Sequence, residues 1–303
     1  MKVHNGYLYV SSFYGNRIFR INLSTAACDW NVSANYPASM DIKNNTLYAF
    51  SQNKFVVQNL SSGTPVNISC SWSGSLKSVG RWTYNLGVDS SGSNLYSHKN
   101  EGKNRYIYRW AIDSSTKCPA TNHSSKIKRN SMQYSFGLRF HPSDDNIFYM
   151  TSYYQHKLFK FTLNAAKTSI TEQSVGKCCT GASSGTNIKF YYPTGLDIDT
   201  TNNRLIVSDF IKNAVQFFDL NLTFVKEIGG SAGTRMSGAH EAIRAIVTDS
   251  SLTSSVNFGF GYWSWGGNPG FSSWSGNITT GTASPCTRNA CIKVRAHKQG
   301  AAR

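Results

Sequence analysis

The sequence predicts a mainly β protein built as a β-propeller, and two observations lead to that prediction. A unit of alternating apolar and polar residues, broken by short polar turns, recurs five times within the first 230 residues. Each unit provides about four short strands, and a sheet of that size cannot bury both of its faces alone. Copies must therefore pack face to face around an axis, as the blades of a propeller do.

The clearest copy of the unit lies at residues 192–229. Residues 195–199 alternate like a strand, and residues 204–208 return after a polar turn as a second strand. Residues 214–218 and 224–228 are predicted as the third and fourth strands. The chain therefore contains at least one complete four-stranded antiparallel sheet.

Four earlier copies precede this one, each with its own hairpin and third strand. Equivalent apolar positions recur roughly every 40 to 60 residues, close to or slightly above known blade repeats. These positions are Leu8, Leu47, Leu95, Ile147 and Leu205. The increasing spacing predicts longer loops in the later blades.

The motif at residues 193–199, PTGLDID, is followed by apolar strands at residues 205–209 and 215–218. This combination resembles an NHL repeat. NHL propellers usually close with six blades. The resemblance therefore implies a ring of six, with a sixth blade supplied at the N-terminus or from outside this chain.

The pattern changes after the propeller, so the chain divides into residues 1–230 and residues 231–303. Residues 234–247 place apolar side chains on one helical face, and residues 256–263 and 291–296 are predicted as strands. This order is similar to the first half of a von Willebrand factor A domain, an α/β fold. A propeller beside an A-like segment resembles the type IV pilus tip adhesin family, which implies adhesion or assembly at a pilus or filament tip.

Composition favours an extracellular or cell-surface protein. Only 15% of residues are charged, and seven cysteines fall in loop-like contexts, which is typical of disulfide-bonded proteins in an oxidising compartment. No apolar stretch is long enough to cross a membrane. The predicted disulfides join loops that follow outer strands or close a short turn: Cys28 with Cys70, Cys118 with Cys178 or Cys179, and Cys286 with Cys291.

Metal and catalytic motifs are weak. The segment Asp89–Ser93 matches Asp-x-Ser-x-Ser, a divalent-cation pattern, but it falls at a hairpin turn and turn chemistry explains it. The histidines are scattered, and no nucleophile motif or phosphate loop occurs. We therefore expect a non-enzymatic protein without a cofactor, and keep a divalent cation such as Ca²⁺ in the channel as the alternative.

Channel aspartates would carry that alternative chemistry. Propeller hydrolases and lyases place carboxylates on inner strands at the central channel, and four aspartates fall near such positions. The competing interpretation is that these aspartates close turns and cap strand ends. The four are Asp41, Asp89, Asp197 and Asp199.

The net charge of +16 indicates attraction to polyanions. The candidate basic binding residues are Lys99, Lys103, Arg105, Lys126, Lys128 and Arg129. Nearby Tyr106, Tyr108, Tyr153 and Tyr154 either stack on bases or sugars or pack within blades. A second candidate surface, which would contact a protein or a cell-surface glycan, consists of Trp263, Trp265, Phe271 and Trp274.

These observations predict a secreted or surface-displayed binding protein that acts in adhesion or in pilus tip assembly, with protein, glycan or pilus-subunit partners. One alternative is a propeller hydrolase or lyase with a metal in its channel. The other is a basic NHL module that binds RNA or another polyanion.

Overall fold

The computed structural model describes residues 1–229, apart from residue 53 and residues 72–84, 102–103, 130–131, 133 and 179–181. The predicted A-like segment lies outside the described residues, and so do Lys103, Cys179, Cys286, Cys291 and the four aromatic residues from Trp263 to Trp274. Within the described part, all regular structure is β and no helix is long and apolar enough to cross a membrane.

The described strands form five four-stranded antiparallel sheets, which confirms the β-propeller with five blades. Blade 1 contains β1 Lys2–His4, β2 Tyr7–Ser12, β3 Arg17–Asn22 and β4 Cys28–Ser33; blade 2 contains β5 Pro37–Lys43, β6 Thr46–Ser51, β7 Lys54–Asn59 and β8 Val66–Asn67; blade 3 contains β9 Gly87–Val88, β10 Asn94–Glu101, β11 Asn104–Ala111 and β12 Ser125–Lys128.

The last two blades follow the same order from the inner to the outer strand. Blade 4 contains β13 Leu138–Phe140, β14 Ile147–Ser152, β15 Lys157–Leu163 and β16 Ile170–Val175; blade 5 contains β17 Pro193–Asp199, β18 Arg204–Asp209, β19 Ala214–Asp219 and β20 Phe224–Gly229. The predicted register holds in blades 1, 2, 3 and 5, whose second strands carry Leu8, Leu47, Leu95 and Leu205 as their second residue. In blade 4 the prediction is off by one residue, because Phe148 and not Ile147 takes that place.

The core lies between the blades. Four described apolar clusters fill the interfaces of blades 1 with 2, 2 with 3, 3 with 4 and 4 with 5. Large rings such as Trp110, Tyr108 and Phe148 are completely buried there, and each contributes roughly 1.5–3 kcal/mol of apolar burial. Tyr108 thus packs within the blades, as one of its two interpretations required.

Each inner strand brings one equivalent residue to the central channel. These residues are Lys2, Asp41, Gly87, Arg139 and Asp197, which share a register position against the second strands. Their contacts run around the ring: Lys2 Nζ lies 2.8 Å from Asp41 Oδ1, and Arg139 Nε lies 2.7 Å from Asp197 Oδ1.

The number of blades differs from the six that the resemblance implied, because the described chain forms five. Lys2 Nζ also lies 3.8 Å from Asp197 Oδ1, so the inner strands of blades 1 and 5 face the same channel. The described apolar clusters join the blades in order from 1 to 5.

The cysteine pairing differs from the prediction. Cys70 is bonded to Cys118, which excludes the predicted Cys28–Cys70 pair and any bond from Cys118 to Cys178 or Cys179. The reason is spatial: Cys70 packs against the apolar cluster between blades 2 and 3, so it faces blade 3, which carries Cys118, and not blade 1. Cys28 and Cys178 are each disulfide-bonded as well.

The propeller has two ends, which we call upper and lower. At the upper end the second strand of each blade turns into the third, and the outer strand connects to the next blade. At the lower end the first strand turns into the second, and the third into the outer strand. The two ends differ in chemistry.

Candidate functional site

The upper end holds tyrosines at one repeated position. Tyr36, Tyr134 and Tyr192 each lie five residues before the channel residue of blades 2, 4 and 5. All three have left-handed backbones, with φ of 49°, 47° and 70°. A left-handed conformation costs an L-residue roughly 1–2 kcal/mol, and for a bulky residue it is rare. Strain of this kind is concentrated at ligand-binding sites.

The turns of the preceding blades fix two of these tyrosines. The Tyr36 backbone N–H donates to Asn16 Oδ1 at 2.9 Å, and the Tyr192 N–H donates to His156 Nδ1 at 3.3 Å. Asn16 and His156 occupy equivalent places in the upper turns of blades 1 and 4, and both are left-handed themselves. Burial lowers the pKa of His156, which favours the neutral ring that can accept this bond.

The tyrosine rings pack against aromatic residues of the upper turns. Tyr153 stacks on Tyr192 with 4.3 Å between ring centroids and 12° between planes. Tyr154 meets Tyr134 edge to face at 5.0 Å, and Phe13 lies 5.2 Å from Tyr36. Each ring therefore holds its neighbour in place, so little side-chain entropy remains to be lost on binding.

Much of this aromatic surface remains open to solvent. Exposure is 74% for Tyr14, 50% for Tyr154, 48% for Tyr134 and 42% for Phe210. These residues follow one another around the ring from blade 4 through blade 5 to blade 1. We call this surface the aromatic arc: Phe13, Tyr14, Tyr36, Tyr134, Tyr153, Tyr154, Tyr192 and Phe210. Exposed apolar area of this kind marks binding surfaces.

Basic side chains lie at the same end of the propeller as the aromatic arc. Arg17, Lys54 and Lys157 begin the third strands of blades 1, 2 and 4, directly beside the upper turns. Two carboxylates at this end are withdrawn from solvent: Asp209 is 3% exposed, and the Glu227 side chain is 10% exposed and bonded to Lys212. Burial also raises the pKa of Asp209 to about 6. A third, Glu101, ends β10 beside the upper turn of blade 3. The described surface of the upper end is therefore aromatic and cationic on blades 1, 2, 4 and 5.

The channel offers a different arrangement, in which carboxylates are matched by cations. Burial would raise the pKa of Asp41, but the charges of Lys2 and Arg139 outweigh it and lower that pKa. Asp197 accepts from Arg139 through Oδ1, whereas its buried Oδ2 has no hydrogen-bond partner in the described chain. Among the described residues, no three His, Cys, Asp or Glu side chains converge as metal ligands do.

The other two candidate aspartates close turns, as their second interpretation predicted. Asp89 Oδ1 accepts the backbone N–H groups of Ser93 and Asn94, and Asp199 Oδ1 accepts those of Thr201 and Asn202. The Asp-x-Ser-x-Ser match is thus a hydrogen-bonded hairpin turn, with both Asp89 oxygens engaged.

The predicted basic residues that are described all lie on blade 3. Lys126 and Lys128 are exposed on its outer strand, and Lys126 Nζ sits 3.8 Å above the Tyr106 ring. Arg129 bonds to the Ile170 carbonyl of blade 4. Lys99 and Arg105 lie on β10 and β11 of the same blade. These residues therefore lie on three strands of blade 3, and Arg129 begins the upper-end connection to blade 4 that also carries Tyr134.

Sequence reasoning singled out Tyr153 and Tyr154 but missed most of the aromatic arc. A signal was present, because Tyr36, Tyr134 and Tyr192 recur at one offset from the channel position. That offset falls in a connection with no periodicity of its own, so it becomes visible only once the inner strands are aligned.

Comparison with known proteins supports the fold. No protein-family model matches the sequence, and no curated protein is significantly similar to it. Similar solved structures include a luciferin-regenerating enzyme, with 11% identity and a TM-score of 0.51 over 74% of this chain and 72% of that one.

Two further structures resemble it to the same degree. Hydrazine synthase of Kuenenia stuttgartiensis has 12% identity and a TM-score of 0.51 over 78% of this chain and 67% of that one. A candidate 6-phosphogluconolactonase of Bacteroides fragilis has 13% identity and a TM-score of 0.53 over 76% and 70%. At such identities the likeness concerns the propeller fold alone.

Proposed function

We propose that this chain is a secreted or surface-displayed binding protein that uses the upper end of its propeller to hold a ligand. The observation that carries the proposal is the aromatic arc. Tyr14, Tyr134 and Tyr154 are exposed, and neighbouring rings hold the tyrosines in place. Tyr36, Tyr134 and Tyr192 keep left-handed backbones that cost folding energy. A surface that is rigid and partly apolar before binding is what a recognition site requires.

The cysteines support the extracellular part of the proposal. Cys28, Cys70, Cys118 and Cys178 are all disulfide-bonded, and such bonds persist in secreted proteins and on cell surfaces. Adhesion, with the propeller exposed at a pilus or filament tip, is the role that fits both features. The NHL, A-domain and pilus-adhesin resemblances belong to this proposal.

A binding role also fits the channel better than hydrolysis does. Asp41 and Asp197 are paired with Lys2 and Arg139, so their charge is already compensated. A catalytic carboxylate instead needs a charge that can act on a substrate.

The test uses a printed panel of neutral glycans, acidic glycans and extracellular-matrix proteins. The wild-type protein is compared with a Tyr14→Ala, Tyr154→Ala double variant and with Leu23→Ala. Leu23 is a matched control, because it is 51% exposed but lies at the lower end. We expect the panel to retain the wild type and the control, and the tyrosine variant to lose at least tenfold in signal. Retention that does not depend on the tyrosines would contradict the proposal, and so would turnover of small esters or lactones without retention.

A further inference from the structure

We propose that the aromatic arc binds acidic glycans, that is, sugar chains that carry carboxylate or sulfate groups. This inference rests on the proposed function and names its ligand class. The inference depends on two features of the upper end, aromatic ring faces and basic side chains. A neutral sugar could contact the rings but carries no charge for the basic side chains to bind.

The aromatic component suits sugar rings. A pyranose has a flat face of C–H groups and an edge of hydroxyls, so it packs on a ring while its hydroxyls remain hydrated. Tyr14, Tyr134 and Tyr154 present such rings, with their hydroxyls able to donate and accept at the rim. The rings are spread over neighbouring blades and not gathered in one pocket, which fits several sugars of a chain.

The charged component selects anionic sugars. Lys54 is exposed and Lys157 half-buried at the starts of their strands, and no described carboxylate lies within salt-bridge distance of either. Arg17 is exposed and donates to the neutral amide oxygen of Asn31. Of the nearby carboxylates, Asp209 is buried, and the Glu227 side chain is 10% exposed and bonded to Lys212. On blades 1, 2 and 4 an incoming anion therefore meets positive charge.

Single-stranded RNA is the competing polyanion, because bases also stack on aromatic rings above a basic groove. Two observations favour a glycan. Four described cysteines are disulfide-bonded, which indicates a compartment where RNA is not the usual ligand. The blade 3 edge, with Lys126 and Lys128, is the more basic surface, yet Lys126 stacks on Tyr106 and leaves that ring covered.

The experiment measures binding of the intact chain to four defined probes by calorimetry over a range of salt concentrations. The probes are heparin, hyaluronan oligosaccharides, dextran as the neutral polysaccharide, and poly(U) RNA. We expect heparin or hyaluronan to bind, dextran and poly(U) to bind at least tenfold more weakly, and affinity to fall as salt rises.

Variants then locate the site. Tyr154→Ala is expected to weaken acidic-glycan binding about tenfold, close to one lost aromatic contact. Lys54→Ala with Lys157→Ala is expected to reduce the salt dependence as well. The matched pair Lys126→Ala with Lys128→Ala removes two cations from blade 3 and is expected to change neither.

Four results would overturn the inference. They are loss of binding in the blade 3 variant, preference for poly(U), equal binding to dextran, and failure of both acidic probes to bind. Tyrosine-dependent binding to dextran or to matrix proteins would still leave the proposed binding function standing. The two proposals can therefore fail separately.

Discussion

The turns at the upper and lower ends of the propeller both connect strands, but they use different residues. At the lower end, short polar side chains close the turns by bonding the backbone N–H two residues ahead. Asn22, Asn59, Asp113 and Asp219 do so in four blades. These are local Asx turns whose bonds are satisfied within the turn itself.

At the upper end, the equivalent connections carry large aromatic residues in a conformation that they adopt reluctantly. Tyr36 and Tyr192 depend on side chains from the preceding blade for their backbone bonds. Left-handed residues occur at both ends, since Lys117, Lys167 and Leu222 take this conformation in lower turns. The exposed aromatic rings are therefore what distinguishes the upper end. We infer that the lower end serves stability and the upper end recognition, and this division can be tested by mutation.

The largest effect on stability is expected from removal of the Cys70–Cys118 disulfide. Cys70 and Cys118 close a loop of 48 residues, for which loop-closure entropy predicts about 4 kcal/mol of stabilisation. The Cys70→Ser, Cys118→Ser double variant should lose about that much in urea unfolding. Ligand retention by the folded fraction should be unchanged. A variant as stable as wild type, or one that stays folded but no longer binds, would break the division between the ends.

Substitution of a channel carboxylate is expected to have the next largest effect on stability. Asp197→Asn leaves Arg139 and Lys2 without their shared carboxylate in a largely buried site, which should cost about 3 kcal/mol. Asp219→Asn is the control, because asparagine preserves the oxygen that closes that exposed lower turn. Its stability should change by less than about 0.5 kcal/mol. Equal losses in the two variants would show that the channel contacts do not hold the ring together.

The sequence could predict the blades because their signal is local. Strand alternation and a recurring apolar position identify five copies, and turn chemistry identifies Asp89 and Asp199. The contacts of Lys2 with Asp41 and Asp197 could not be predicted, because they depend on how far apart the inner strands of different blades stand. The Cys70–Cys118 bond was missed for a similar reason, since neighbouring blades and not neighbouring cysteines decide the pair.

The site was harder to predict than the fold. Trp263 and the basic residues of blade 3 attract attention as clusters in sequence, whereas the aromatic arc is assembled from single residues of different blades. Tyr36, Tyr134 and Tyr192 are separated by whole repeats. Their common feature is a backbone conformation, which composition and periodicity do not reveal.

Replacement of a left-handed tyrosine is expected to raise stability and to weaken ligand binding. Tyr134→Gly relieves a left-handed backbone at φ 47° and should raise stability by up to about 1 kcal/mol, while it removes an exposed ring of the aromatic arc. We expect a higher melting temperature together with weaker ligand retention. Ala26→Gly, at φ 54° in a lower turn, is the control and should leave retention intact. A Tyr134→Gly protein that is more stable and binds as well as wild type would show that the strain serves no recognition.

The smallest effect is expected from the upper turn that carries His156. The Tyr36 N–H bonds to Asn16 in the turn of blade 1, whereas the Tyr192 N–H bonds to His156 in the turn of blade 4. Burial lowers the folded pKa of His156 below its unfolded value of about 6.5. The stability that depends on the neutral ring is thus present above pH 6.5 and is lost as pH falls through the folded pKa. Protonation would set an Nδ1–H against the Tyr192 N–H and disturb the ring stacked on Tyr153. His156→Asn copies the blade 1 arrangement, so it should remove this acid sensitivity, seen as a near-ultraviolet circular dichroism change in wild type as pH falls below about 6.5. A signal that is the same in both proteins across that range would mean that the imidazole does not hold Tyr192, and that blade 4 orders its tyrosine by ring stacking alone.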